Sequence, residues 1–148
     1  MKALLLTTSV VVAFLLGPAQ AEEKVLKMKL VTKFMEKAGD GARVFGVTFT
    51  PDGTIGTKDF FIKDSEKKGE FFGLSTYSFN DGTITASFVG QELDKERNKG
   101  TYVILTGTGI YEGAKGSGGF EGLGSGAHPL KVGVYDVTLN VTVPPRSN

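Results

Sequence analysis

The sequence predicts an all-β chain of eight or nine short antiparallel strands, which a closed barrel or a sandwich would both accommodate. Three observations carry this reading. Apolar and polar residues alternate with period two along most of the chain, as they do where one strand face is buried. Short clusters of Pro, Asp, Asn and Gly separate the alternating runs. Ten glycines fall between Gly100 and Gly126, a density no helix tolerates, since each interior glycine costs about 1 kcal/mol relative to alanine.

The first strand is read over Val25–Met35. Leu26, Met28, Leu30, Thr32 and Phe34 share one face, and Lys27, Lys29, Val31, Lys33 and Met35 the other. A break at 38–41 leads to a second strand, Ala42–Thr50, in which Phe45, Val47 and Phe49 alternate against Val44, Gly46 and Thr48. Pro51-Asp52-Gly53 stops it: proline fixes φ, aspartate caps locally and glycine accepts positive φ. Thr57–Lys63 is the third strand, and 64–69 a charged connection. Glu70–Phe79 and Gly82–Gln91 form a hairpin around Asn80-Asp81-Gly82, a strong local turn signal. Leu93–Lys99 is the one helix-like window; short, highly charged and glycine-flanked, it reads as a surface loop or single turn. Strands follow over Gly100–Gly107, Gly109–Lys115 and, weakly, Gly118–Leu123. The last, Lys131–Val143, ends at Pro144-Pro145, which cannot continue a ladder. Connections this short impose antiparallel neighbours.

The N-terminus reads as a secretory signal peptide. Lys2 precedes an apolar run from Ala3 to Leu16, Gly17-Pro18 breaks it, and Ala19-Gln20-Ala21 is a small-x-small cleavage site. The run is shorter than the ~20 residues of a bilayer span. Cleavage after Ala21 makes the protein secreted or periplasmic and leaves one domain, 22–148, with no membrane segment. With Lys2 gone, basic and acidic residues balance at 16 each, which removes any electrostatic case for nucleic acid as a partner. There is no cysteine, so thiolate chemistry and iron–sulfur clusters are excluded.

Two blocks carry a resemblance. The first runs from Lys67-Lys68-Gly69 to Thr76-Tyr77-Ser78-Phe79 and on through Thr83–Gly90. The second is Leu105-Thr106-Gly107-Thr108-Gly109-Ile110-Tyr111-Glu112-Gly113-Ala114-Lys115-Gly116. Together with the final strand they resemble the allene oxide cyclase and dirigent superfamily over about the C-terminal half of the chain. The resemblance implies a closed antiparallel β-barrel of eight strands or nearly so, with an apolar interior cavity and often assembled as a homotrimer, and cofactor-free chemistry in which the barrel steers a reactive intermediate into one cyclisation geometry. Plant cyclases use a glutamate and a neighbouring asparagine on the first strand and a cysteine in the cavity. Here Thr32 is the polar residue on the corresponding apolar face, and those groups have no counterpart.

The sequence offers few chemical groups. The acids Glu112 and Asp136 are the weak catalytic candidates; Glu112 follows an aromatic residue at a glycine turn, and Asp136 lies on the polar stripe of the last strand, which would face inward if the barrel exterior packed against sister subunits. Glu121 has a context like that of Glu112 but a weaker case. Gly107-x-Gly109 is not a dinucleotide fingerprint, because the third glycine comes one residue late and no helix follows. His128 is the sole histidine, without the partners a metal site needs, and no metal or cofactor is expected. Asn140-Val141-Thr142 is read as an accidental glycosylation sequon. Leu30, Thr32, Phe34, Phe45, Phe49, Tyr77, Tyr102 and Tyr135 are the candidate pocket-lining residues.

The leading reading is a secreted barrel that binds a small apolar molecule, with cofactor-free cyclisation or isomerisation as its chemistry. The competing reading is a non-enzymatic extracytoplasmic barrel with a filled core. The interior decides between them: steering calls for a mostly apolar cavity of about 300 Å³ or more with a convergent polar group.

Overall fold

A computed structural model describes residues 20–146. The proposed signal peptide therefore lies outside the described residues except for Gln20 and Ala21. Eight strands follow in order: β1 Glu22–Ala38, β2 Gly41–Phe49, β3 Ile55–Asp64, β4 Glu70–Phe79, β5 Gly82–Glu92, β6 Arg97–Gly107, β7 Lys115–Leu123 and β8 Gly133–Val143. Each pairs antiparallel with its sequence neighbours, and β8 returns to β1. The closing seam runs from Glu22 opposite Val143 to Thr32 opposite Gly133. The result is a closed, eight-stranded, antiparallel all-β barrel, the architecture the resemblance implies; the alternation by itself is equally compatible with a sandwich.

Alternation sends one face of every strand into the barrel. Met28, Leu30, Phe60, Tyr77, Ile84, Ala86, Phe88, Tyr102, Ile104, Val137, Leu139 and Val141 form the buried core. The turns use the residues that mark them in sequence. At the β2–β3 turn the Thr54 amide donates to Asp52 Oδ1 at 3.1 Å and Gly53 takes φ +85°. Asn80 and Asp81 alone separate Phe79 from its pair Gly82.

Two segments differ from the sequence reading. Gly109–Lys115 is not a strand: Gly109–Tyr111 is a 3₁₀ turn, and Gly109 and Gly113 adopt φ +61° and +72°. These left-handed conformations fold the chain back, and a Cβ at Gly107 would stand 2.3 Å from the Tyr111 carbonyl oxygen. Tyr111 and Ala114 are thereby tucked into the core at one end of the barrel. The second difference is in the helix-like window, where Arg97–Lys99 already belong to β6. Asp94 makes the tight turn there, its Oδ1 accepting from the amides of Glu96 and Arg97, both at 2.8 Å.

The weak β7 strand exists because its glycines leave room for neighbours. Gly100 on β6 faces Phe120 across the ladder, and a Cβ at Gly100 would lie 2.3 Å from that ring and 2.4 Å from the Val89 carbonyl oxygen. Gly100→Ala is expected to lower unfolding stability by about 1–3 kcal/mol, the usual cost of overpacking. Gly126→Ala, in a loop with open space around it, is the matched control and should change stability by less than about 0.5 kcal/mol. Urea denaturation of both variants tests the difference.

Candidate functional site

The two ends of the barrel differ. At the end where β1 begins and β8 ends, Tyr111 packs beside Phe79, ring centroids 5.9 Å apart, and the interior is filled. At the other end a cavity of about 170 Å³ opens, lined by residues of every strand except β2. Its walls are Leu30, Phe60, Ile62, Phe71, Phe88 and Phe120, with Asp64, Glu92 and Asn98 at the mouth. Edge-to-face and tilted contacts link Phe60 to Phe88, Phe88 to Tyr102, Tyr102 to Phe120 and Phe120 to Tyr135, with centroids 5.3–6.0 Å apart, a geometry that stabilises aromatic pairs beyond their buried area.

One group breaks the apolar lining. Lys58 on β3 faces inward, between Gly56 and Phe60, and is only 3 % exposed. Its Nζ donates to the Tyr102 hydroxyl at 2.7 Å and, among the described residues, has no carboxylate ion-pair partner. Four rings surround it, with centroids at 4.2 Å for Phe60, 4.8 Å for Tyr102, 5.1 Å for Phe88 and 5.2 Å for Tyr77. Cation–π attraction favours the ammonium by about 2 kcal/mol in a dry site. Taking an ammonium out of water costs several kcal/mol, so burial wins and brings the Lys58 pKa from 10.5 down to about 7. Burial acts the other way on the phenols: Tyr77, Tyr102 and Tyr135 all have raised pKa values and stay protonated at neutral pH. The Tyr77 hydroxyl is buried without a hydrogen-bond partner, whereas Tyr135 accepts from Asn98 Nδ2 at 3.3 Å.

The residues singled out from sequence divide sharply. Leu30, Thr32, Tyr102 and Tyr135 line the cavity. Tyr77 is fully buried against Tyr102, outside the lining itself. Phe45 and Phe49 are on the outer face, 38 % and 45 % exposed. The registers with β1 and β3 turn Gly46 and Thr48 inward instead, and in a strand the alternate residues must then point out. Phe34 is 50 % exposed beside a bulge near the end of β1 and does not line the cavity.

Neither candidate acid reaches the interior. Glu112 is exposed after the 3₁₀ turn, at the opposite end from the cavity. Asp136 is on the outer face of β8, paired with Lys29 Nζ at 2.5 Å, because Val137, Leu139 and Val141 take the inner positions. Glu121 is exposed too, and the His128 Nδ1 accepts from the Leu130 amide within its loop. No group of three or more metal-ligating side chains occurs among the described residues. A larger open groove, about 610 Å³, runs outside the barrel between Phe72, Val89 and Thr101, but it holds no buried titratable group.

Lys58 went unnoticed in the sequence. Its signal was parity: Gly56, Lys58, Phe60 and Ile62 alternate together, but the adjacent Phe61 makes either face look apolar.

The architecture is shared with solved proteins. The pterocarpan synthase dirigent protein GePTS1 superposes with a TM-score of 0.62 at 13 % identity, covering 93 % of this chain and 99 % of that one. The pterocarpan synthase dirigent protein PsPTS1 gives 0.58 at 12 % identity, covering 86 % and 97 %. The chain shares the fold of these dirigent barrels. No protein-family model matches its sequence, and no curated protein is significantly similar to it. Identities this low establish the dirigent-like fold and leave the chemistry to the chain's own residues.

The buried amine makes stability depend on pH. Below pH 7 Lys58 is protonated in both the folded and unfolded states, and its full burial cost is present. Between about 7 and 10.5 the unfolded state binds the proton and the folded state does not, so stability rises with pH by up to about 1.4 kcal/mol per unit. Lys58→Met is expected to raise stability at pH 6 by several kcal/mol and abolish this slope. Denaturation midpoints from pH 6 to 9.5, below tyrosine ionisation, test it; an unchanged slope would show that Lys58 is not the buried group responsible.

Proposed function

We propose that this dirigent-like barrel binds a small apolar molecule, one ring in size, in the cavity above Lys58. The observation that supports this most directly is the pairing of an aromatic wall with a single convergent polar group, Lys58 with Tyr102. The volume, about 170 Å³, is below the roughly 300 Å³ usual for drug-sized ligands but above the ~150 Å³ of an engineered apolar cavity that accepts benzene. A single-ring occupant fits that range. Water exclusion and one fixed polar contact are the means by which such a barrel holds a reactive molecule in one orientation. Steering of a cyclisation or isomerisation is the chemistry we assign to it, in keeping with a fold shared with pterocarpan synthases. The filled lower half of the barrel favours the competing reading, a structural barrel, and ligand binding separates the two.

The N-terminal pattern supports export, to the periplasm or outside the cell, with cleavage after Ala21. Self-association, as a homotrimer, is supported by the outer face, where Phe61 on β3, Leu74 on β4, Val89 on β5 and Val103 on β6 are exposed.

Toluene titrated into the protein is expected to bind with a dissociation constant on the order of 0.1–1 mM, about −4 to −5.5 kcal/mol. Ile62→Trp, which places a larger ring on the cavity wall, should weaken that binding at least tenfold while leaving the fold intact by circular dichroism. Equal affinity in both proteins would remove the cavity as the site. Absence of binding in the wild type would leave the structural barrel. For assembly, Leu74→Lys is expected to lower the mass measured by light scattering to that of a monomer; a monomeric wild type would end the trimer reading.

A further inference from the structure

We propose that Lys58 is a nucleophile that captures a small single-ring aldehyde as an imine inside the barrel. The proposal rests on the reading of the cavity as a ligand site and adds a covalent role for the amine at its floor. Three features converge there. The Nζ is at the inner end of a cavity open to solvent, with no carboxylate among the described residues holding it as a structural ion pair. An ammonium offers three donors, yet Tyr102 provides one acceptor, 2.7 Å away, and the other neighbours are ring faces. The Tyr77 hydroxyl is buried without a partner, and its ring centroid is 5.2 Å from Nζ.

That environment suits the neutral amine, the form in which desolvated lysines attack carbonyls. The Nζ lone pair adds to the aldehyde carbon; the carbonyl π pair moves to oxygen. Tyr102, within hydrogen-bond distance of Nζ, gives its proton to that oxygen and takes one from nitrogen, producing the carbinolamine. A second relay of the same kind protonates the hydroxyl, which departs as water as the nitrogen pair closes the C=N bond. One aldehyde and one amine become one imine and one water, with no change of oxidation state. Tyr102 stays a phenol between relays because burial raises its pKa. Protonation of the imine spreads the charge over a weakly hydrated group, which four ring faces then stabilise by cation–π attraction. The ionisable groups facing Nζ are Tyr77, Tyr102 and Tyr135, with Asp64 and Glu92 at the mouth. The apolar walls and cavity size select an aldehyde on one aromatic ring over a sugar or a long acyl chain.

The test is reductive trapping. Protein, benzaldehyde and sodium cyanoborohydride are mixed at pH 7, and labelled sites are located by peptide mass mapping. Lys58 is expected to gain one benzyl group at least tenfold faster than any surface lysine, and its labelling rate should level off above about pH 7, where surface lysines are still accelerating. Tyr102→Phe should slow labelling at Lys58 at least tenfold. Labelling of Lys58 no faster than the surface lysines, with toluene bound normally, overturns covalent capture and leaves the cavity reading standing. Failure of toluene to bind alongside slow labelling overturns both. Fast labelling without toluene binding upholds capture and discards the simple apolar site. The wild-type map decides the matter even if Tyr102→Phe does not fold.

Discussion

Closure of the barrel is the constraint on which everything else depends. Eleven residues of β1, Glu22 to Thr32, pair with β8 from Val143 back to Gly133, and once that seam forms the sheet has no free edge. It also fixes which face of every strand looks inward, because a slip of one residue would reverse them all. An eight-stranded barrel has an interior just wide enough for side chains to fill or to leave space for one ligand. Each inward position therefore competes for the same limited volume.

The chain resolves that competition by exchanging glycines for rings. Gly90 has no side chain, and a Cβ there would lie 2.2 Å from the Phe71 ring and 3.0 Å from Phe120. Gly100 makes the same allowance for Phe120. Large rings from a few strands thus cover backbone contributed by others, and packing stays dense without every position being large. Filling is complete at the end where Tyr111 is tucked in. It is incomplete at the other, where Leu30, Phe60 and Phe88 leave the space above Lys58 open. The glycine-spaced segment around Gly109 serves the first end and takes no part in the site.

This division explains what was legible in the sequence. β1, β4, β5 and β8 show their alternation plainly, and the turns at Asp52-Gly53 and Asn80-Asp81 carry their own chemistry, so fold class and strand order emerge from local pattern. The inward face of β2 does not. Phe45 and Phe49 look like core by size, but the pairing of Gly46 with Thr32 and with Lys58 settles the matter through contacts distant in sequence. Size ranks side chains by what they gain on burial, whereas closure ranks them by what fits. Asp136 was drawn outward by the same logic, its partner Lys29 being directly across the seam. Lys58 was hidden because a lysine in an alternating strand is ordinarily a solvated residue, and only the fixed parity of Gly56 and Phe60 makes it an interior one.

That interior lysine is hard to explain as packing. Methionine would fill similar space without a charge to desolvate, and the shift in pKa corresponds to a burial cost on the order of 4–5 kcal/mol at neutral or lower pH. A typical domain has only about 5–15 kcal/mol of net stability, so a cost of that size is a large part of the whole. The orphan hydroxyl of Tyr77 adds a second unfavourable term in the same ring cluster. Had closure merely trapped a tolerated lysine, the remaining inward residues would be expected to supply a carboxylate or further acceptors, as buried charges ordinarily require. Instead the surroundings are aromatic faces and one phenol, a dry setting whose desolvation outweighs cation–π attraction and brings the amine's pKa to about 7, so that a large share of it is neutral at neutral pH. Local rules are broken most often where a chain uses the break, and here the buried amine and the orphan Tyr77 hydroxyl share one ring cluster beneath the open end of the barrel.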